Sequence, residues 1–338
     1  MSWYHLQGKC ADTVISTRVR LARNIVGYPF VSKLDSAGAG EIIEKVGSTL
    51  EPSGFRKINF SDISPIMATS FVERHYVSPE FSLQESPHAL LLQEQNGVAV
   101  MVCEEDHLRV QCILAGSAPE EAYQNASEIE KRLDEEFDFA YEEALGYLTQ
   151  CPTNLGTGLR VSVMMFLPAL SRAGSMNSLA AQLSKIGLTV RGLFGENSAS
   201  AGCMYQISNQ VTLGVSESET LCMMNEAISQ ISEKEKLARA AIVGEAQERL
   251  QDRILRSEGI LRYALFLTSS ELIRLLSDVR LGIALGYVKD ISYEQLNTLL
   301  VEAMPATLTL SSESTPKTES ARDKLRAVKV QSVLHPKG

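Results

Sequence analysis

The alternation of apolar and polar positions in the first two thirds of the chain predicts β-strands. Residues 14–21 read Val-Ile-Ser-Thr-Arg-Val-Arg-Leu, so Ser16, Arg18 and Arg20 fall on one face of a strand. Apolar runs on either side of the acidic segment 104–107 predict an antiparallel pair with an acidic corner. The predicted strands after the first lie at 98–103, 108–114, 159–167, 188–191 and 203–208.

Helical spacing of apolar residues dominates the last third of the chain. An earlier helix is predicted from Pro119 to about residue 148, because proline followed by Glu120 and Glu121 is typical of a helix start. A Ser/Thr/Glu/Pro-rich linker is predicted at 307–320. The pattern therefore indicates an α/β mixture followed by mostly helical chain. The later predicted helices lie at 218–256, 260–267, 270–285, 292–304 and 321–330.

Composition narrows the class of protein. The 338 residues are 44% hydrophobic and carry a net charge of −9, which argues against general binding of nucleic acids or anionic membranes. The start of the chain has no signal-peptide pattern, and no run of about 18 apolar residues occurs. The six cysteines include no C-x-x-C pair, which fits neither a disulfide framework nor a zinc knuckle. We expect a reduced, cytoplasmic protein with no membrane or nucleic-acid partner.

Five arginines are placed on or beside the predicted strands, at Arg18, Arg20, Arg109, Arg160 and Arg191. A single sheet could bring all five to one cleft. The planar guanidinium matches phosphate oxygens bidentately, and several such cations suit phosphoryl transfer without a Gly-rich phosphate loop, which this sequence lacks. The alternative is that they are ordinary surface ion-pair partners.

Four motifs occur together in a distinctive order. They are Ser-Thr-Arg-Val-Arg at 16–20, Glu-Glu-Asp-His at 104–107 followed by Arg109, Cys-Pro-Thr-Asn-Leu-Gly-Thr-Gly at 151–158, and Arg191-Gly before a Gly-rich loop. This combination resembles the phosphagen kinase superfamily over about residues 14–235. The resemblance implies an α+β fold, an antiparallel sheet flanked by helices, as a catalytic domain at 14–235. A helical C-terminal domain would follow at 236–338.

The layout further resembles one branch of that superfamily, the bacterial protein-arginine kinases. Kinases of creatine or free arginine carry a helical domain before the Ser-Thr-Arg-Val-Arg strand, whereas here that strand begins near residue 14 and helices follow it. The segment 322–327, Arg-Asp-Lys-Leu-Arg-Ala, matches the R-D-x-x-R-A motif of a phosphoarginine-binding, allosteric pocket in that family. The resemblance therefore implies phosphorylation of arginine side chains in proteins by ATP, with Mg²⁺ held mainly by the nucleotide and no metal site in the protein.

The resemblance also assigns roles to residues. Glu105 would hold and deprotonate the target guanidinium with Glu196 as its partner, and Cys151 would lie beside it. Two carboxylates can align a guanidinium and accept its proton as the N–P bond forms. Phosphoarginine would be bound by Arg322, Asp323, Arg326 and Ala327. ATP would be contacted by Ser16, Thr17, Arg18, Val19, Arg20, His75, Arg109, Arg160, Val161, Ser162, Val163, Met164, Arg191, Gly192, Leu193, Phe194, Gly195 and Glu196.

Taken one at a time, these residues have simpler interpretations. Glu104 and Glu105 could be a solvated acidic turn, Cys151 a buried inert thiol, and His107 a structural histidine. The chain also departs from the family pattern at Cys103, at Phe166 and in the loop 197–200, which leaves the preference for protein substrates and the loop dynamics open.

The partners implied by the resemblance are protein substrates with exposed arginines, a second copy in a homodimer, a small zinc-binding activator protein, and a Clp-type unfoldase and protease that would degrade the marked substrates. Two alternative functions stay open. One is a kinase of a small free guanidino compound, and the other is a non-catalytic adaptor that only binds phosphoarginine.

Overall fold

A computed structural model describes residues 2–192, 201–312, 316 and 318–335. Its centre is an eight-stranded sheet in which every neighbouring pair is antiparallel, and two very short strands form a separate hairpin. The order across the sheet is β2-β3-β4-β5-β1-β8-β10-β9, and the hairpin is β6-β7. The strands are β1 Val14–Arg23, β2 Arg56–Asn59, β3 Ala89–Gln93, β4 Val98–Val102, β5 Leu108–Ala115, β6 Tyr141–Glu142, β7 Gly146–Tyr147, β8 Leu159–Phe166, β9 Leu188–Gly192 and β10 Met204–Asn209.

Helices cover both faces of this sheet and form the C-terminal part of the chain. A single 3-10 turn at Trp3–His5 precedes β1. The architecture confirms the predicted α+β fold with an antiparallel sheet and a helical C-terminal region. The helices are α1 Ser36–Leu50, α2 Pro65–Glu73, α3 Pro79–Ser82, α4 Pro119–Asp134, α5 Pro168–Arg172, α6 Met176–Ser184, α7 Glu217–Tyr263, α8 Ser269–Ala284, α9 Tyr293–Glu302, α10 Pro305–Leu310 and α11 Glu319–Leu334.

The predicted bounds of two helices and one linker were wrong. The helix that begins at Pro119 ends at Asp134 rather than near 148, because Phe137 and Phe139 turn back into the core and the β6-β7 hairpin follows. The predicted helix at 260–267 does not form, since α7 runs on to Tyr263 and the chain is then extended. The predicted linker at 307–320 contains the end of α10, which starts with a proline at its first position.

Two hydrophobic clusters lie on the two sides of the sheet. The first joins the sheet to α1, α4 and the beginning of α7, through residues such as Val19, Val110 and Ile228. The second covers the opposite side and continues into the C-terminal helices, where Ile15 and Ile113 share a cluster with Leu299. The helical region is thus packed directly against the same side of the sheet that carries the candidate site.

The helix α7 connects the two parts of the chain without a break. The predicted domain boundary at 235/236 falls inside it and stays a prediction. Glu235 is fully buried, and its carboxylate accepts hydrogen bonds from the backbone N–H groups of Ala169 and Leu170 at 3.0 Å each and from Arg239 at 2.8 Å. Burial raises the pKa of Glu235, and these bonds act in the opposite direction. No helix of the described residues is long and apolar enough to cross a membrane.

Candidate active site

The strand register brings the five arginines onto one face of the sheet. Arg20 on β1 pairs directly with Arg160 on β8, and Ala22 beside it pairs with Arg109 on β5. Arg18 lies two residues before Arg20 and donates a hydrogen bond to Gln206 on β10 at 3.3 Å. Gln206 in turn pairs with Arg191 on β9. We call Arg18, Arg20, Arg109, Arg160 and Arg191 the arginine face.

The cations of this face lower one another's pKa values. Burial, with repulsion from Arg109 and Arg160, lowers the pKa of Arg18 to about 10. Burial also lowers the pKa of Arg20, and among the neighbouring cations Arg18 contributes most to this effect. The pKa of Arg160 is lowered by burial and by Arg191. The Nε of Arg20 is buried and has no hydrogen-bond partner within the described part of the chain. Such a cluster favours a polyanionic ligand, because anionic oxygens relieve the repulsion and satisfy the donors.

An acidic pair closes one end of the arginine face. The Arg109 guanidinium donates through Nη1 to Glu104 and through Nη2 to Glu105, each at 2.8 Å. The Glu104 carboxylate also accepts from Ser78 at 2.9 Å. The side chain of Glu104 is 9% exposed and that of Glu105 is 39% exposed. Glu104 thus anchors Arg109, whereas Glu105 is the carboxylate that an entering substrate can reach.

A buried polar network fixes the acidic turn in position. Asn24 donates to Asp106 at 2.7 Å, and Asp106 also accepts from the backbone N–H of Gln150 at the same distance. Nδ1 of His107 accepts from the backbone N–H of Ile25 at 3.0 Å, so its Nε2 donates to the Pro29 carbonyl at 2.8 Å. Burial lowers the pKa of His107, which keeps it neutral. This geometry supports a structural role for His107.

The segment held by this network places Cys151 and Asn154 beside Glu105. Asn154 donates to the Glu105 carboxylate at 3.4 Å, and the Cys151 Sγ lies 3.1 Å from the Thr153 hydroxyl. Cys151 is close enough to Arg160 to influence its pKa. These groups line an open cavity of about 210 Å³. Its lining comprises Arg20, Ala22, Glu105, Arg109, Cys151, Thr153, Asn154, Gly158 and Arg160.

His75 lies at the other end of the arginine face. Burial and the charge of Arg18 lower its pKa to about 4, so the imidazole is neutral at physiological pH. Its backbone has a φ of +63°, a left-handed conformation that is uncommon for histidine, and its carbonyl accepts from Gln111 at 2.9 Å. The His75 ring lies 5.9 Å from the ring of Trp3.

The structure separates the remaining predicted ATP contacts into three groups. Ser16, Ser162 and Met164 share the face of the arginines. Gly192 ends β9, and Leu193, Phe194, Gly195 and the predicted catalytic residue Glu196 lie outside the described residues. Four side chains occupy the opposite side of the sheet and do not reach the arginine face: Thr17, Val19, Val161 and Val163, of which the three valines belong to the core cluster there.

The predicted phosphoarginine residues lie on α11. Arg326 is buried, and it donates to the carbonyls of Ala303 at 2.9 Å and Leu267 at 2.7 Å and to the Asp323 carboxylate at 2.6 Å. Ala327 is buried beside it. Arg322 remains partly exposed and lies 3.9 Å from Glu319. Arg326 therefore connects α11 to the segment after α9 and to the segment before α8. Of the two arginines, Arg322 is the one whose guanidinium a ligand can reach.

The sequence prediction did not assign a role to Glu104, Asn154 or Gln206, which contact Arg109, Glu105 and Arg18 respectively. The first two stand inside motifs that the sequence shows, whereas Gln206 is identified only by strand pairing. Within the described ranges, no group of three or more His, Cys, Asp or Glu side chains is arranged to hold a metal ion.

Comparisons with known proteins agree with this geometry. Residues 40–238 match the family described as ATP:guanido phosphotransferase, C-terminal catalytic domain. Residues 247–337 match the family described as protein-arginine kinase McsB C-terminal domain.

Similar proteins include a protein-arginine kinase of Clostridium acetobutylicum, 42% identical over 91% of this chain and 92% of that protein. Another from Clostridium tetani is 38% identical over 98% of both. Among solved structures, the duplicated taurocyamine kinase of Schistosoma mansoni has a TM-score of 0.61 at 26% identity, over 68% of this chain and 34% of that one. A lombricine kinase has a TM-score of 0.60 at 23% identity over 70% and 69% of the two chains, which supports the fold alone. The chain therefore belongs to the protein-arginine kinase family, and it is a phosphotransferase built on the catalytic domain of the ATP:guanido phosphotransferases.

Proposed function

We propose that this protein transfers the γ-phosphoryl group of ATP to the guanidinium of arginine side chains in other proteins. The observation that carries the proposal is the single cavity in which Arg20, Arg109 and Arg160 meet Glu105. Arg20 and Arg160 suit the phosphates, and the reachable carboxylate of Glu105, which Arg109 contacts at 2.8 Å, suits a guanidinium.

The residues present suggest how the reaction proceeds. The arginine face binds the phosphates and stabilises the charge that is spread over the transferred group. Glu105 holds the acceptor guanidinium and takes a proton from the attacking nitrogen as the N–P bond forms and the bond from the γ-phosphorus to the bridging oxygen of ADP breaks. Asn154 orients Glu105 through the 3.4 Å hydrogen bond. Mg²⁺ held by the nucleotide would further neutralise the charge of the phosphates.

Two findings favour an arginine within a protein over a small free guanidino compound. The curated relatives named protein-arginine kinase match 91–98% of this chain, including its helical C-terminal part, whereas the taurocyamine kinase matches 68%. In addition, Glu105 is 39% exposed in its cavity, so a side chain carried on another protein can approach it.

The test is phosphoryl transfer from labelled ATP, with Mg²⁺, to a disordered arginine-containing protein and, separately, to free arginine. The expected product on the protein is acid-labile and base-stable, because it contains an N–P bond. Glu105→Gln should lower the rate by about 10²- to 10⁴-fold, since it keeps the shape and removes the base.

Glu233→Gln is the matched control, because Glu233 is exposed on α7 away from the cavity and should behave as wild type. Label on free arginine alone would contradict the protein-kinase proposal. The absence of label on either acceptor would favour an adaptor that only binds phosphoarginine.

We propose further that the phosphoarginine made by this enzyme marks substrates for a Clp-type unfoldase and protease. We also propose that the protein acts in the cytoplasm as a homodimer, together with a small zinc-binding activator protein. Phosphoarginine would bind at Arg322, where the exposed guanidinium supports the assignment. We expect the protein to phosphorylate its own arginine side chains as well. Mass spectrometry of the protein after incubation with ATP at neutral pH, where the N–P bond is preserved, would detect this autophosphorylation.

A further inference from the structure

A second cavity, of about 140 Å³, opens beside the arginine face, and one of its walls belongs to the C-terminal helices. Arg18 and His75 line it at the end nearest the arginine face. Most of its other walls are apolar. They comprise Trp3 from the N-terminal turn, Ile15, Ile113, Met164 and Met204 from the sheet, and Leu300 and Val301 from α9, with Ser16, Ser162 and Gln206 as the other polar groups.

The position of this cavity relates it to the arginine face. Arg18 belongs to both, since it lies in the row of cations and lines the cavity as well. A nucleotide whose phosphates lie on the arginine face would therefore extend its nucleoside into the cavity. The mixture of apolar walls with a few hydroxyl and amide groups is the environment that binds a flat, partly polar base. His75 is neutral there, which avoids placing another buried cation beside Arg18.

The helix that forms one wall is held in place by contacts at its end. Glu302 is bound to His5 at 2.6 Å and to Lys329 of α11 at 2.7 Å. The next carbonyl, that of Ala303, accepts from Arg326 at 2.9 Å. Thr298 donates to the backbone carbonyl of Tyr4 at 3.3 Å. These bonds fix Leu300 and Val301 against the N-terminal turn that contributes Trp3.

From this arrangement we infer that the C-terminal helices complete the nucleotide-binding site, with Leu300 and Val301 of α9 and Trp3 forming a wall against the base of ATP. The inference rests on the proposed function for the identity of the ligand. It goes beyond that function in assigning a substrate contact to the helical part of the chain. Leu300 is the best residue to test, because it is half-buried at the cavity, whereas Val301 is almost fully buried in the core.

Trp3 is the only tryptophan of the sequence, so intrinsic fluorescence reports on this cavity directly. The experiment titrates the full-length protein with Mg²⁺-ATP and, in parallel, with inorganic triphosphate, which has the phosphates and no base. Fluorescence should change saturably with ATP and far less with triphosphate. Leu300→Ala should weaken ATP binding by about 3- to 10-fold, since it removes apolar contact with the base, and should leave the affinity for triphosphate unchanged.

Leu310→Ala is the matched control, because Leu310 is an exposed leucine of α10 in the same helical region and does not line the cavity. Thermal unfolding of both variants verifies that they are folded. The inference is overturned if Leu300→Ala binds ATP as tightly as wild type, or if ATP and triphosphate lose affinity equally. Because the measurement is of binding, it stands separately from phosphoryl transfer: wild type that binds ATP at this wall and labels no arginine would contradict the proposed function alone.

Discussion

At the scale of single residues, the arginine face places like charges close together on partly buried positions. The lowered pKa values of Arg18, Arg20 and Arg160 express the cost of this arrangement in the ligand-free protein. Buried donors without partners and repelling cations destabilise a fold, and proteins retain them where a ligand compensates. Stability and ligand affinity are therefore expected to change in opposite directions at these positions.

Arg20→Met provides the test of that opposition. The substitution keeps much of the length of the side chain and removes both the unpartnered Nε and the repulsion with Arg18 and Arg160. We expect the free energy of unfolding to rise by about 1 kcal/mol, and ATP affinity to fall at least about 10-fold through the lost phosphate contact. Chemical denaturation and ATP titration measure the two effects. Arg56→Met, at an exposed position of β2, should change neither, and a destabilised Arg20→Met protein would contradict the argument.

His75 makes stability depend on pH in an acidic window. Its pKa is about 4 in the folded protein and near 6.5 in the unfolded chain. Between these values the unfolded chain binds a proton that the folded protein does not, so the contribution is fully present above pH 6.5 and is lost as the pH falls toward 4. His75→Asn, which cannot titrate and tolerates positive φ, should have a flatter profile of unfolding free energy across this window. Parallel profiles of wild type and variant would contradict the prediction.

At the scale of elements, the sequence predicted strands better than helices. β1 and β5 alternate or carry long apolar runs, so their pattern identifies them without tertiary information. The strands β2, β3, β6 and β7 were missed; Ala89–Gln93 of β3, for example, is a short apolar run that pattern alone does not distinguish from a helix. The helix from Pro119 was predicted about 14 residues too long, because nothing local marks Asp134 as its end and the aromatic residues after it pack through tertiary contacts.

A buried ion pair within α7, Glu235–Arg239, binds the backbone of α5 and of the segment before β1, and its loss has a predictable cost. Glu235 caps α5 and neutralises Arg239, whose guanidinium also donates to the Asp12 carbonyl at 2.8 Å. Glu235→Ala removes the cap and leaves the buried Arg239 with only the Asp12 carboxylate, at 3.4 Å, so the free energy of unfolding should fall by about 3 kcal/mol. Thermal and denaturant unfolding measure it. Glu233→Ala, two residues earlier and exposed, should cost less than about 0.5 kcal/mol; equal effects of the two variants would argue against the pair.

At the scale of the whole molecule, the sequence motifs predicted the type of reaction. The strand pairing of the sheet explains how residues that are distant in sequence form one site. Arg18, Arg109 and Arg191 are far apart in sequence, and only the register of β5, β1, β8, β10 and β9 brings them onto one face. The alternation within β1 predicted that Arg18 and Arg20 share a side, but it could not show that Gln206 lies between two of the arginines. The wall from α9 was equally beyond the sequence, because it depends on how helices pack on the sheet.

The continuity of α7 gives a prediction about cutting the chain. A fragment ending at residue 235 would divide this helix, separate Glu235 from Arg239, and expose the apolar cluster that Ile15 and Ile113 share with the C-terminal helices. We expect residues 1–235 to be insoluble or to unfold far below the full-length protein in a thermal scan. A fragment with a cooperative transition at the full-length temperature would show that the sheet domain is independent.

The pairing of Arg109 with Glu105 has a consequence for how substrates enter. The group already bound to that carboxylate is a guanidinium, the same functional group that a protein arginine would bring. Entry of an acceptor arginine is therefore expected to exchange one guanidinium for another at Glu105, while Arg109 keeps its hydrogen bond to Glu104. Little net free energy is released by such a swap, so acceptor sites should bind weakly and dissociate quickly. Selection among arginines then depends on the surrounding surface of the acceptor protein, and the displaced guanidinium becomes available to the phosphates at the moment the acceptor is seated.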